Sequence, residues 1–136
     1  MSLLLIRHAT AGESSEWQGD DRLRPLDARG ARQAEGLVRL LADFELDRVV
    51  SSPYLRCVQT VEPLAGARML EIEQDEALGA DRLDDVPAVL ERLHGQHVAV
   101  CTHGDLPWLG DRKFKKGSVW VLDENGQPAE YLPPAG

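Results

Sequence analysis

Two cysteines in 136 residues are too few for a disulfide framework, and Cys57 and Cys101 fall in no CxxC or Cys/His zinc spacing. Both are expected to stay as thiols. Long apolar runs are missing too, since nothing approaches the roughly 18 residues that a membrane span needs. The opening run Leu3-Leu4-Leu5-Ile6 stops at Arg7, too short for the core of a signal peptide, so a cytoplasmic location is expected. Basic residues are in deficit, with 15 Lys and Arg against 23 Asp and Glu and a net charge of −8. Nucleic-acid surfaces normally need a basic face, so neither nucleic acid nor a membrane is the expected partner. Any anion this chain handles must be held by a local cluster of Arg and His.

What is present is ordinary for a globular protein: 43% hydrophobic and 28% charged residues. The length suits one domain, residues 1–136, burying roughly two thirds of its unfolded surface. Leu3 to Ile6 form a continuous apolar run, as in a strand covered on both faces. Asp27 stands where an N-cap would, ahead of Ala34, Leu37, Val38 and Leu41 at helical spacing. A second strand is expected over 48–51, then a helix with Leu55, Val58, Val61 and Ala65 on its buried stripe. Residues 69–72 give a weaker strand, and Asp84 or Asp85 could cap a helix carrying Val86, Val89, Leu90 and Leu93. Strands at 98–101 and 118–122 follow. Asn125-Gly126 then signals a type I′ hairpin that returns a last strand at 130–132. Alternating strands and helices imply an α/β fold: a three-layer sandwich with a central, mostly parallel sheet, a C-terminal hairpin and no large cap domain.

The chemistry collects at predicted strand ends. Arg7-His8 follows the first strand and His103-Gly104 follows the fourth, 95 residues later. Ligands of open α/β sheets bind beyond the carboxyl ends of the strands, so the two histidines can share a pocket. Ser51-Ser52-Pro53-Tyr54-Leu55-Arg56 again leaves a strand and opens a helix, where free N–H groups and a guanidinium favour an anion. Each residue alone has a plain surface reading. Together Arg7, His8, Arg56 and His103 make a small cationic bowl in an acidic chain, suited to a phosphoryl group.

Arg7-His8-Ala9-Thr10 resembles the RHG-type signature of the histidine phosphatase, or phosphoglycerate mutase-like, superfamily. Ser51-Ser52-Pro53 through Arg56, with Gln59-Thr60, is similar to its second motif, and His103-Gly104 to its third. Asp21, Arg24-Pro25-Leu26 and Gly30 look most like the small SixA-like phosphohistidine phosphatases. The chain also looks like the phosphatase half of some actinobacterial fusions with a Nudix hydrolase, although it contains no Nudix box. The resemblance implies a metal-independent phosphatase without cofactor, in which His8 is the nucleophile and becomes phosphorylated. Arg7, Arg56, His103 and Gly104 would hold the phosphoryl oxygens, with Thr10 and Ser52 as further candidate donors.

A general acid is less evident. Glu76 is the best-placed candidate, with Asp81 behind it, against the plainer reading of an acidic surface loop. Imidazole leaves with little proton help, its conjugate acid having a pKa of about 6.5, so a missing acid favours phosphohistidine over sugar phosphates. The expected substrate is a phosphorylated protein carrying phosphohistidine, handled by a monomer. A small-molecule or nucleotide phosphate ester is the alternative, and a phosphate-binding module without turnover is the opposing class. A metallohydrolase is disfavoured, because the two histidines lack carboxylates at a known ligand spacing. Residues 105–116 contain Pro107 and Gly110 and are too few for a multi-turn helix and its return, so a pocket open on that side is expected.

Overall fold

The computed structural model describes residues 2–135. The first strand, β1 (Leu3–Arg7), is covered on both sides because Leu3, Leu4, Leu5 and Ile6 are all at most 1% exposed. Alternation divides its side chains between two cores. Leu4 and Ile6 pack with Leu37, Val61 and Leu64, whereas Leu3 and Leu5 pack with Val86, Val89 and Leu90. These sets belong to α1 (Ala28–Leu40) and α2 (Leu55–Arg68) on one face and α3 (Val86–Arg92) on the other. Three layers result.

The remaining strands are β2 (Arg48–Ser51), β3 (Ile72–Gln74), β4 (Val98–Thr102), β5 (Val119–Leu122) and β6 (Pro128–Leu132). Their order is β3-β2-β4-β1-β5-β6, with the first four parallel and β5 antiparallel to both neighbours. The α/β sandwich with a mostly parallel sheet and a C-terminal hairpin is therefore as the sequence implies. Among the described residues there is no inserted cap domain, and no helix is long and apolar enough to cross a membrane.

Several local expectations change. Met69 does not begin a strand; it ends α2 in the left-handed region at φ 57 and is 93% exposed, so β3 starts only at Ile72. Asp85 occupies the N-cap of α3 but its side chain makes no cap bond and instead pairs with Arg82 at 2.7 Å. Asp27 does cap α1, accepting from the Gly30 N–H at 2.7 Å. The Asn125-Gly126 hairpin forms, but only Gly126 takes a positive φ there. Its N–H donates to the Asp123 carbonyl, and Asp123 Oδ1 also accepts from the Asn125 and Gln127 N–H groups. That local Asp chemistry removes the need for a type I′ turn. The last strand consequently begins at Pro128 rather than at residue 130.

Candidate active site

The sheet register brings the predicted residues side by side. Arg7 of β1 pairs with Thr102 of β4, and the next residue, His8, donates its backbone N–H to the Thr102 carbonyl at 3.0 Å. On the other side of β4, Ser51 pairs with Cys101, and the Ser52 N–H donates to the Cys101 carbonyl at 2.9 Å. Ser52, His103 and His8 thus leave three adjacent parallel strands at the same edge. The two imidazole centroids lie 5.4 Å apart, at 63° to each other.

His8 is prepared as a neutral nucleophile. Its Nδ1 lies 2.8 Å from the Ala9 carbonyl, which can only accept, so the ring proton sits on Nδ1 and Nε2 keeps its lone pair. Burial, and then the charges of His103, Arg56 and Arg7, push its pKa down to about 3 despite that hydrogen bond. The loop carrying His8 is pinned from two sides. Ala9 N–H donates to Thr60 Oγ1 at 2.9 Å, while Thr10 N–H donates to Gln33 Oε1 at 3.0 Å. Gly30 is required beneath it, because a Cβ there would stand 1.9 Å from the Thr10 carbonyl oxygen.

The guanidinium groups are equally constrained. Arg7 donates to the Phe114 carbonyl at 2.6 Å and lies against Gly104, where a Cβ would come within 2.4 Å of the guanidinium carbon. Only glycine lets the cation approach that backbone. Arg56, in the first turn of α2 and 4% exposed, donates to the Asp21 carbonyl at 2.9 Å and to Asp21 Oδ2 at 3.1 Å. Burial alone would raise the Asp21 carboxyl, but Arg24 and Arg56 hold it below the usual range. Arg7 Nε and Arg56 Nε are buried without a hydrogen-bond partner among the described residues.

A family profile decides the kinship: that of the histidine phosphatase superfamily, branch 1, matches residues 3–79. The chain belongs to that superfamily. A curated relative from Mycolicibacterium smegmatis, an 8-oxo-(d)GTP phosphatase, is 36% identical over 160 residues, covering 98% of this chain and 48% of that protein. The chain therefore spans about half of that relative's length. The structure of the protein histidine phosphatase SixA complexed with tungstate superposes with a TM-score of 0.79 at 25% identity, covering 98% of this chain and 97% of SixA. An α-ribazole phosphatase from Shigella flexneri shares the fold, with a TM-score of 0.72 at 19% identity over 97% of this chain and 96% of its own. Fold and matches are those of a phosphatase.

Within this histidine phosphatase domain, three candidates stand differently from the sequence expectation. Ser52 is fully buried, and its Oγ contacts His103 Nε2 at 3.0 Å instead of facing the bowl. Thr10 commits its hydroxyl proton to Asp27 Oδ1 at 2.6 Å, because that carboxylate also caps the adjoining helix. Glu76 sits on the rim, 65% exposed, with both oxygens accepting from Arg22 at 3.0 and 3.1 Å. Residues 105–116 form no α-helix, only a 3-10 turn at Pro107–Leu109. Leu106, Leu109 and Phe114 nevertheless seal that segment onto the core, which is how the Phe114 carbonyl reaches Arg7.

Asp21, Thr60, Gln33 and Tyr54 support the site but were not candidate site residues. Tyr54 stacks edgewise on His103, with centroids 4.7 Å apart, while Arg22 and Arg56 lie 4.8 and 5.0 Å from its ring centre. Asp21 and Thr60 stand among the residues that carry the family resemblance, but nothing in the sequence ties Asp21 to Arg56 or Thr60 to the loop of His8.

Proposed function

We propose that this domain is a metal-independent phosphatase that works through a phosphohistidine formed on His8, with protein phosphohistidine as its substrate. The observation that carries this reading is the neutral, Nδ1-protonated His8, held 5.4 Å from His103 at one strand edge. His8 Nε2 attacks phosphorus, and the bond from phosphorus to the leaving nitrogen breaks with its electron pair going to that nitrogen, so a substrate ring protonated on its other nitrogen departs as neutral imidazole. Water then attacks the phosphohistidine, releasing phosphate and restoring the imidazole. Arg7, Arg56 and His103 stabilise the equatorial oxygens in both steps, the work that positioning and electrostatics do in phosphoryl transfer. Gly104 serves by admitting Arg7, rather than by a side chain of its own.

The leaving group follows from the carboxylates. Glu76 is engaged by Arg22, and Arg24 and Arg56 hold the Asp21 carboxyl below its usual range, so each carboxylate is committed to an arginine rather than aimed at a leaving group. A site with no acid to spare suits a leaving group that is already a weak base. Imidazole is one, and the phosphate of a phosphoanhydride is another. The second reading, a nucleoside polyphosphate, is supported by the name of the M. smegmatis relative.

The experiment is phosphate release from a phosphohistidine protein, a nucleoside triphosphate and a simple sugar phosphate, each with chelator, for the parent and His8→Ala. Release from phosphohistidine with chelator present, and its loss in His8→Ala, is expected. Release restricted to the triphosphate would transfer the assignment to the second reading. Full activity in His8→Ala would overturn the mechanism.

A further inference from the structure

Three arginines around the site are fixed to the backbone. Arg7 donates to the Phe114 carbonyl, Arg24 to that of Ala11 and Arg56 to that of Asp21. Arg22 differs. It stands in the turn Asp21–Leu23 with its side chain 39% exposed, and among the described residues its guanidinium bonds only to Glu76, in the turn Glu76–Leu78 that follows β3. Both bonds use one nitrogen, Nη2, and both end on an exposed carboxylate.

We propose that Arg22 is a specificity-determining residue that exchanges Glu76 for a second phosphate of the substrate, the one next to the phosphoryl group that His8 receives. The substrate class it selects is a phosphoanhydride chain, as in a nucleoside di- or triphosphate. This deepens the phosphatase reading and rests on it for its effect on turnover. Contacts around Tyr54 place the residue for this task. The Arg22 guanidinium carbon lies 4.8 Å from the ring centre and that of Arg56 lies 5.0 Å from it, while the ring meets His103 edgewise at 4.7 Å between centroids. One tyrosine thus joins the buried members of the cationic bowl to an exposed cation at its mouth. A guanidinium set against a ring keeps the N–H groups along its edges, and such an edge matches two oxygens of a carboxylate or a phosphate. Glu76 already occupies that edge, so an anion reaches it from the rim.

The two anions compete on unequal terms. An ion pair between two exposed side chains is screened by salt and must order both of them, so Glu76 is held weakly. A phosphate joined to the group at His8 is delivered by its own tether, at a high effective concentration. Phosphohistidine carries no second phosphate and leaves the pair with Glu76 intact. Arg22 therefore acts on one class of substrate and is idle for the other.

The test is calorimetric binding of inorganic pyrophosphate and of orthophosphate, with chelator, to the parent, Arg22→Ala and Arg82→Gln. Arg82 pairs with Asp85 on the adjoining loop, so its variant removes the same charge without touching the pair at the mouth. Pyrophosphate should bind the parent more tightly than orthophosphate. Arg22→Ala should weaken pyrophosphate about tenfold and orthophosphate less than about twofold, whereas Glu76→Gln should tighten pyrophosphate by removing its competitor. In turnover, Arg22→Ala should lower kcat/KM for a nucleoside triphosphate by a larger factor than for phosphohistidine. Equal binding of the two anions by the parent would overturn the proposal, as would equal losses of pyrophosphate in Arg22→Ala and Arg82→Gln. Binding needs no turnover. A pyrophosphate preference that Arg22→Ala abolishes, in a chain that hydrolyses nothing, would break only the phosphatase reading.

Discussion

The two ends of the parallel sheet are built from opposite materials. At the carboxyl ends of β1, β2 and β4, charged and polar groups crowd together: His8, His103, Ser52, Arg7 and Arg56. At the other end, where the α3 C-terminus meets the β5–β6 turn, lies a cavity of about 630 Å³ lined by Leu90, His94, Trp108 and Gly126. The histidines and arginines of the candidate site do not line this hollow. Nucleophilic and cationic groups need backbone and side-chain partners to hold them, and those partners fill space. Open volume therefore marks the end with less to position, and strand register is the better guide to the site.

The sharpest break in this contrast is His8→Ala, which should lower phosphate release by about a thousandfold or more while far-ultraviolet circular dichroism stays native. A loss of similar size from a change around the cavity would erase the distinction between the ends. Next comes Gly104→Ala, whose methyl group must displace the Arg7 guanidinium. Steady-state kinetics should show a loss of about a hundredfold, with a rise in KM as the cation moves. At the opposite end, Leu90→Ala should cost about 2–5 kcal/mol in denaturant unfolding and leave turnover per folded molecule unchanged.

Acid sharpens the comparison further. The unfolded His8 takes up a proton below about pH 6.5, while the folded one, with a pKa of about 3, does not. The unfolded state then binds more protons, so folding stability is lost as pH is lowered through this window, by up to about 1.4 kcal/mol per pH unit. His8→Asn should flatten that part of the curve, as urea melts at pH 4 and 7 would reveal. The smallest effect is expected on the rim. Glu76→Gln leaves a half-exposed partner for Arg22 and should change kcat less than about threefold, measured on phosphohistidine and triphosphate alike.

Much of the active-site end is legible residue by residue. Continuous apolar runs before His8 and His103 mark strands covered on both faces, and a reactive residue after such a run stands at a sheet edge. Asp27 was readable as a cap because its carboxylate faces the free N–H groups of the turn that follows. Asp21 was not readable in its full role, since its partner Arg56 lies 35 residues away and only the packed loop joins them. Ser52 shows a related limit. A serine in a turn motif offers a hydroxyl, but burial decides whether that hydroxyl meets a ligand or the neighbouring histidine. The 69–72 strand and the type I′ turn failed through local details: a left-handed helix end at Met69 and a carboxylate at Asp123 that caps its own turn.

By itself the sequence determined the layer architecture and the members of the cationic bowl. Periodicity and motif spacing are properties of the chain that burial must respect. Tertiary structure alone decided which side chains face which. Register across β2, β4 and β1 set Ser52, His103 and His8 abreast, and the close approach of Arg7 to Gly104 chose the orientation of that guanidinium. The pairing of Cys57 with His103 across 46 residues likewise exists only once α2 lies against β4. Hydrogen bonds and electrostatic contacts act over a few ångströms, so their partners are selected only when packing brings distant segments together.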